Sequence, residues 1–140
     1  YQNDKIREKR RVIKEETAFL MNAILKKAIN EGTGTAIRNK FDVKFPLAGK
    51  TGTAQSFSDA WFVGYNPNIV MASRVGGNYP VIHFDDGANG SGGRLALPLV
   101  GLTLAKAQKN SNLSKVLFEN FEELPEDYQD ALQCEDFKGD

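Results

Sequence analysis

Ala48-Gly49-Lys50-Thr51-Gly52-Thr53-Ala54-Gln55, followed after three residues by Asp59-Ala60-Trp61-Phe62-Val63-Gly64-Tyr65, is the stretch on which the fold turns. Leu47 to Gln55 reads as one strand, and the aromatic-rich Asp59 to Tyr65 as a second. Asn66-Pro67-Asn68 is a turn, and Ile69 to Gly76, with Ile, two Val and Met, is a third strand. The connections are too short for a parallel crossover, so the three strands are expected to run antiparallel. On the first strand Lys50 and Gly52 share one face, while Thr51 and Thr53 share the other. At a sheet edge, twist and a glycine let the hydroxyls lean over the rim into a cleft. An ammonium, two hydroxyls and an approachable backbone suit an anionic substrate. The competing reading is an exposed edge strand whose lysine guards against aggregation.

Gly49-Lys50-Thr51 also fits the end of a phosphate-binding loop, which would make the chain a nucleotide-binding domain. That motif needs a glycine where Lys44 stands and a helix after the threonine, and the residues from Thr51 onward run toward another strand. The phosphate reading is rejected.

Working outward, Arg11-Val12-Ile13-Lys14 is a short extended leading segment. Thr17 reads as an N-cap, and Met21, Ile24, Leu25, Ala28 and Ile29 recur at helical spacing up to Gly32, giving a helix over about residues 17 to 30. Gly32-Thr33-Gly34-Thr35 is a turn. Asp42 to Pro46 alternates apolar and polar residues, with Pro46 suited to the start of an edge strand. Beyond the strands, Asp85-Asp86-Gly87 to Gly93 is a glycine- and aspartate-rich loop, better read as a flexible turn than as a phosphate cradle. Leu95 to Ala107 is a second long helix, with Pro98 tolerated near its first turn. Leu113 to Phe121 is a shorter helical piece, and loop and tail follow Leu124-Pro125. The fold class is α+β, a small antiparallel sheet of about three strands packed by helices.

The whole sequence has 140 residues, 41% hydrophobic and 26% charged, one soluble domain's worth of core. Its 18 basic and 18 acidic side chains leave no net charge for a nucleic-acid partner. One cysteine, Cys134, and one histidine, His83, exclude an internal disulfide and a Cys/His zinc cluster, and no metal or other cofactor is expected. The longest mostly apolar run, Leu95 to Ala105, contains Pro98 and is too short to span a bilayer, and no signal peptide is visible at Tyr1 to Arg10. The first 14 residues carry six basic side chains and residues 119–140 carry nine acidic ones, read as two solvated ends. Cys134 among those carboxylates is incidental, since they suppress its thiolate. Because the chain begins with Tyr1, it is expected to be part of something longer.

Three blocks carry a family resemblance. Glu16-Thr17-Ala18-Phe19-Leu20-Met21 with Gly32-Thr33-Gly34, then Ala48 to Gln55, then Asp59 to Pro67 resemble, in order and spacing, the transpeptidase domain of class A penicillin-binding proteins. Leu95-Ala96-Leu97-Pro98 looks like the start of that family's closing helix. The resemblance covers roughly Arg11 to Lys109. It places residues 1–109 in the C-terminal part of such a domain, within a serine β-lactamase/transpeptidase-like fold, and residues 110–140 in an acidic tail. It implies a serine acyltransferase that cross-links peptidoglycan stem peptides at D-Ala-D-Ala and is acylated by β-lactams. Lys50 would assist proton transfer, Thr51 and Thr53 would hold the substrate carboxylate, and the Thr53 backbone N–H would be one of two oxyanion donors. Gly52 and Ala54 would complete the substrate-binding strand. The implied partners are the stem peptide, β-lactams and the missing N-terminal part of the domain. The implied location is the extracytoplasmic face of the plasma membrane, in a membrane-anchored parent.

One departure from the family pattern is decisive. Its chemistry needs Ser-x-x-Lys and Ser-x-Asn motifs. None of Ser56, Ser58, Ser73, Ser91, Ser111 or Ser114 has Lys three residues on or Asn two residues on. Tyr1-Gln2-Asn3, a Tyr variant of the second motif, lies too close to Lys50 and is coincidental. The chain alone is therefore expected to be inert and to expose an apolar patch where missing polypeptide belongs. The alternative is a non-catalytic binding or scaffold module that kept the transpeptidase fold. Trp61, Phe62 and Tyr65 are read as sheet and cleft-floor packing, Asp59 as a turn anchor, and His83 as structural.

Overall fold

A computed structural model describes residues 11–79, 81–129 and 132. The basic residues before Arg11, Tyr1-Gln2-Asn3 and Cys134 lie outside the described residues. The element order is α1 (Glu15–Asn30), α2 (Ala36–Asn39), β1 (Ala48–Thr53), β2 (Asp59–Tyr65), β3 (Val70–Gly76), α3 (Gly87–Gly90), α4 (Gly92–Ala107) and α5 (Ser111–Leu117). Among the described residues no helix is long and apolar enough to cross a membrane. The fold is α+β, with one sheet ordered β1-β2-β3 and both pairings antiparallel.

Helix α1 begins two residues before the expected Thr17. Lys14 occupies the N-cap without a side-chain bond, and Glu15 and Glu16 fill the first turn. Their charges complement the helix dipole, and Arg11 adds an ion pair to Glu15 at 3.1 Å, so no hydroxyl cap is required. At the other end the Gly34 N–H bonds the Ala28 carbonyl at 3.0 Å. Of the apolar stripe, Ile29 is buried while Met21 and Ile24 are exposed. The helix therefore contributes only part of that face to the core.

Asp42–Pro46 is not a strand. Val43 and Phe45 point into the core, but their carbonyls accept from the Arg38 guanidinium at 2.6 and 2.8 Å. Gln108 stands in for a neighbouring strand, its side-chain amide donating to the Asp42 carbonyl and accepting from the Lys44 N–H. Period-two burial thus arises here without a sheet ladder. Burial lowers the pKa of Arg38 from its usual value, although a guanidinium stays charged at any ordinary pH.

Helix α4 covers the face of the sheet that carries Ala60, Phe62 and Ser73, burying its own Ala96, Leu97, Val100, Gly101 and Leu104. Ser73 Oγ donates to the Ala96 carbonyl at 2.7 Å. The helix starts at Gly92, so Pro98 lies in its second turn rather than its first. Its missing N–H removes one intrahelical bond, to the Arg94 carbonyl, and the buried apolar face holds the helix together across that gap. The expected loop before it contains α3, capped by Asp86, whose Oδ1 accepts the Asn89 N–H at 2.9 Å.

The opposite face of the sheet stays largely open. Trp61 is 42% exposed, Val63 38% and Val70 71%. Phe62 is packing as expected, and Trp61 is not, because strand alternation turns it away from α4. Asn66 caps the β2–β3 turn, its Oδ1 accepting the N–H groups of Asn68 and Ile69, and its Nδ2 holds the Leu117 carbonyl at the end of α5.

Candidate active site

The register decides which groups of β1 are available. Ala54 N–H donates to the Asp59 carbonyl at 2.8 Å, and the pairing continues as Gly52↔Trp61, Lys50↔Val63 and Ala48↔Tyr65. In an antiparallel ladder these alternate residues exchange bonds with β2, so the backbone groups of Gly49, Thr51 and Thr53 point away from it. Strand β1 is an edge of the sheet. Its outward N–H groups, that of Thr53 among them, therefore face the rim.

Lys50 is exposed, and its Nζ donates to the Thr51 carbonyl at 2.9 Å. That carbonyl is one of the rim groups, so the ammonium folds over the edge toward the same side as the Thr53 N–H. The structure thus brings together a positive charge and an amide donor on one open rim.

The two hydroxyls lie across the strand from the lysine stem, as alternation requires. Thr51 Oγ1 and Thr33 Oγ1 share a hydrogen bond of 2.7 Å. Thr53 Oγ1 accepts from the Gly92 N–H at 3.1 Å. Neither contact exhausts its group, because a hydroxyl has one donor and two acceptor sites. Thr53 keeps its O–H to give, and the Thr33–Thr51 pair keeps one O–H between them. Gly92 opens α4, so the positive end of that helix's dipole also lies beside Thr53.

Thr33 and Gly92 escaped the sequence reading as site residues. Thr33 sits in the Gly32-Thr33-Gly34 turn and Gly92 in the glycine-rich segment, 18 and 39 residues from their threonine partners. Gly52 faces Trp61 across the ladder, and Ala54 closes the hairpin. Asp59 pairs with Arg74 on β3, on the side of β2 away from β1, as a turn anchor rather than a rim group. His83 is exposed, with Nδ1 against the Phe84 carbonyl at 3.1 Å. After β1 the chain enters a short 3-10 turn, Gln55–Phe57, and then β2, so no helix N-terminus follows Thr51 to hold a phosphate.

The chain is also similar to known proteins. A model of the penicillin binding protein transpeptidase domain matches residues 2–91. Penicillin-binding protein 1A of Neisseria flavescens is 38% identical over 89 residues, which is 62% of this chain and 10% of that protein. Its counterpart in Rickettsia typhi is 36% identical over 89 residues, covering 64% of this chain and 11% of that protein. The crystal structure of penicillin-binding protein 1A from Haemophilus influenzae matches 72% of this chain and 16% of that one, with a TM-score of 0.63 and 29% identity. The chain spans about a tenth of the length of these curated relatives. With the domain model matched over more than half its residues and the sheet and helices in the corresponding arrangement, the chain belongs to the penicillin-binding protein transpeptidase family, of the class A type.

Proposed function

We propose that this chain supplies the Lys-Thr-Gly wall of a serine-type D-Ala-D-Ala transpeptidase that cross-links peptidoglycan stem peptides. The observation that carries the reading is the shared rim of β1, where the Lys50 ammonium bonds the Thr51 carbonyl beside the outward Thr53 N–H. In the reaction a serine oxygen from polypeptide outside this chain attacks the carbonyl between the two D-Ala residues. The terminal D-Ala leaves with a proton, and the acyl group passes from the serine to the amine of a second stem peptide. A β-lactam enters the same sequence and stops at the acyl-enzyme.

Each rim group has a part in that sequence. The Thr53 N–H donates to the oxygen that becomes negative in the tetrahedral intermediate, and loss of one such donor costs about 100- to 1,000-fold in rate. Lys50 adds positive potential and assists proton transfer at the serine. The Thr51 and Thr53 hydroxyls hold the substrate's terminal carboxylate, and Gly52 and Ala54 let its backbone approach the strand. The nucleophile, the other oxyanion donor and a membrane anchor belong to the parent protein, which works on the extracytoplasmic face of the plasma membrane.

Incubation with a fluorescent penicillin tests this. The chain alone acquires no label that survives denaturation, because none of its serines is followed by Lys at the third position. A covalent label on any serine of this chain contradicts the reading.

A further inference from the structure

The turn that follows Thr53 is strained. Ser56 and Phe57 both have positive φ, 54° and 52°, although neither is glycine. Positive φ is uncommon for residues other than glycine, and the conformation persists only where its surroundings hold it. A five-residue connection with glycine at these positions would close the same hairpin without that strain.

The glycine-rich segment is what holds the turn. The Phe57 carbonyl accepts the Phe84 N–H at 3.3 Å. Its side chain lies in a seat made by two glycines: a Cβ on Gly90 would stand 2.6 Å from the Phe57 Cβ, and one on Gly87 3.1 Å from the Phe57 ring. Asp86, capping α3, fixes the helical turn that carries both glycines. On the other side of Thr53, the backbone of Gly92 lies directly on the strands. A Cβ there would stand 2.3 Å from the Trp61 carbonyl oxygen and 2.4 Å from that of Gly52. Those are backbone atoms of a paired ladder and have no side-chain rotation by which to yield. The Gly92 N–H then bonds Thr53 Oγ1. Residues 84–92 thus grip the strand end both before and after Thr53.

We propose that Phe57 and Gly92 are positioning residues that fix the direction of the Thr53 N–H. The proposal rests on the reading of Thr53 as an anion donor. A donor of that kind must be held within about 0.5 Å and 10–20° of its working geometry, and an exposed edge strand with a solvent-facing turn lacks such rigidity by itself.

Amide hydrogen exchange, read by NMR on the whole 140-residue chain, tests it. Phe57→Gly removes the anchoring ring and also the cost of positive φ. The expected result is exchange of the Ala54 and Gly92 N–H groups faster by about tenfold or more, with the Phe62 and Ser73 N–H groups changed by less than about twofold. Phe57→Leu refills the seat and restores most of the protection, whereas Ser56→Gly relieves strain without touching the seat and leaves Ala54 as slow as before. Gly92→Ala speeds Ala54 exchange in the same local way. Unchanged exchange at Ala54 and Gly92 in Phe57→Gly overturns the proposal, and so does an equal rise at Phe62 and Ser73, which marks global loosening. Exchange is measured without any ligand, so this outcome is separate from the success or failure of anion binding.

Discussion

At the scale of single residues, the groups that matter are those whose partners lie far away in sequence. Tyr65 shows how a strand end is tied to its surroundings. Its OH donates to Asn22 Oδ1 of α1 at 2.7 Å, and its ring meets Phe121 edge-on with centroids 5.8 Å apart. Burial raises its pKa above the ordinary tyrosine value. The folded form therefore holds its proton more tightly than the unfolded chain, and stability falls as pH rises from the unfolded pKa, about 10, toward the folded one. Urea unfolding at increasing alkaline pH should show that decline, and Tyr65→Phe should make it shallower while costing about 1 kcal/mol at neutral pH for the lost bond. An identical alkaline slope in the variant would show that Tyr65 is not its source. Thr33 and Thr51 illustrate the same point inside the site, since their shared hydrogen bond links a turn and a strand that no local pattern connects.

At the scale of elements, the sheet has two unequal faces. Helix α4 covers one, and Trp61, Val63 and Val70 leave an apolar surface on the other. The pairing of Asn66 N–H with the Ile69 carbonyl sets the β2–β3 ladder so that the backbone groups of Val70, Ala72, Arg74 and Gly76 point to the far edge, which pairs with no further strand among the described residues. On α4, Leu99 and Leu102 are also exposed. An apolar face beside an unpaired edge binds hydrophobic dyes and associates with itself. The isolated chain should therefore bind such a dye and sediment as more than a monomer at micromolar concentration, and a clean monomer without dye binding would contradict this description of the surface. The strands and both long helices were legible because turn residues and periodicity agreed about them. Strand β2 appears with the bounds the sequence implied, and β1 is shorter than expected by Leu47 at one end and Ala54-Gln55 at the other, where the chain enters the turn. The Asp42–Pro46 segment misled because Gln108 and Arg38, remote in sequence, satisfy its backbone in place of a strand. The Gly87–Gly93 segment misled for the opposite reason. Its glycines are there for close packing against Phe57 and the β1–β2 ladder, and composition alone does not separate that from flexibility.

At the scale of the molecule, the role proposed for the chain is one wall of a catalytic cleft whose nucleophile comes from polypeptide outside it. The strand that carries Lys50, Thr51 and Gly52 was readable from sequence, down to the alternation that separates Lys50 from Thr51 and Thr53. What sequence did not reveal is that each hydroxyl already makes one hydrogen bond, Thr51 with Thr33 and Thr53 with the start of α4, and that the ammonium rests on the Thr51 carbonyl, on the rim that also carries the outward Thr53 N–H. The central claim is that this rim is an anion site before the rest of the enzyme is added. The direct measurement is an NMR titration of the 140-residue chain with N-acetyl-D-alanine, whose carboxylate mimics the end of a stem peptide. The account predicts saturable shifts of the Thr53 and Ala54 amides that weaken by about tenfold or more in Lys50→Gln, an ammonium–carboxylate contact being a charge-assisted one. Shifts that are absent, or that persist undiminished in Lys50→Gln, would contradict it.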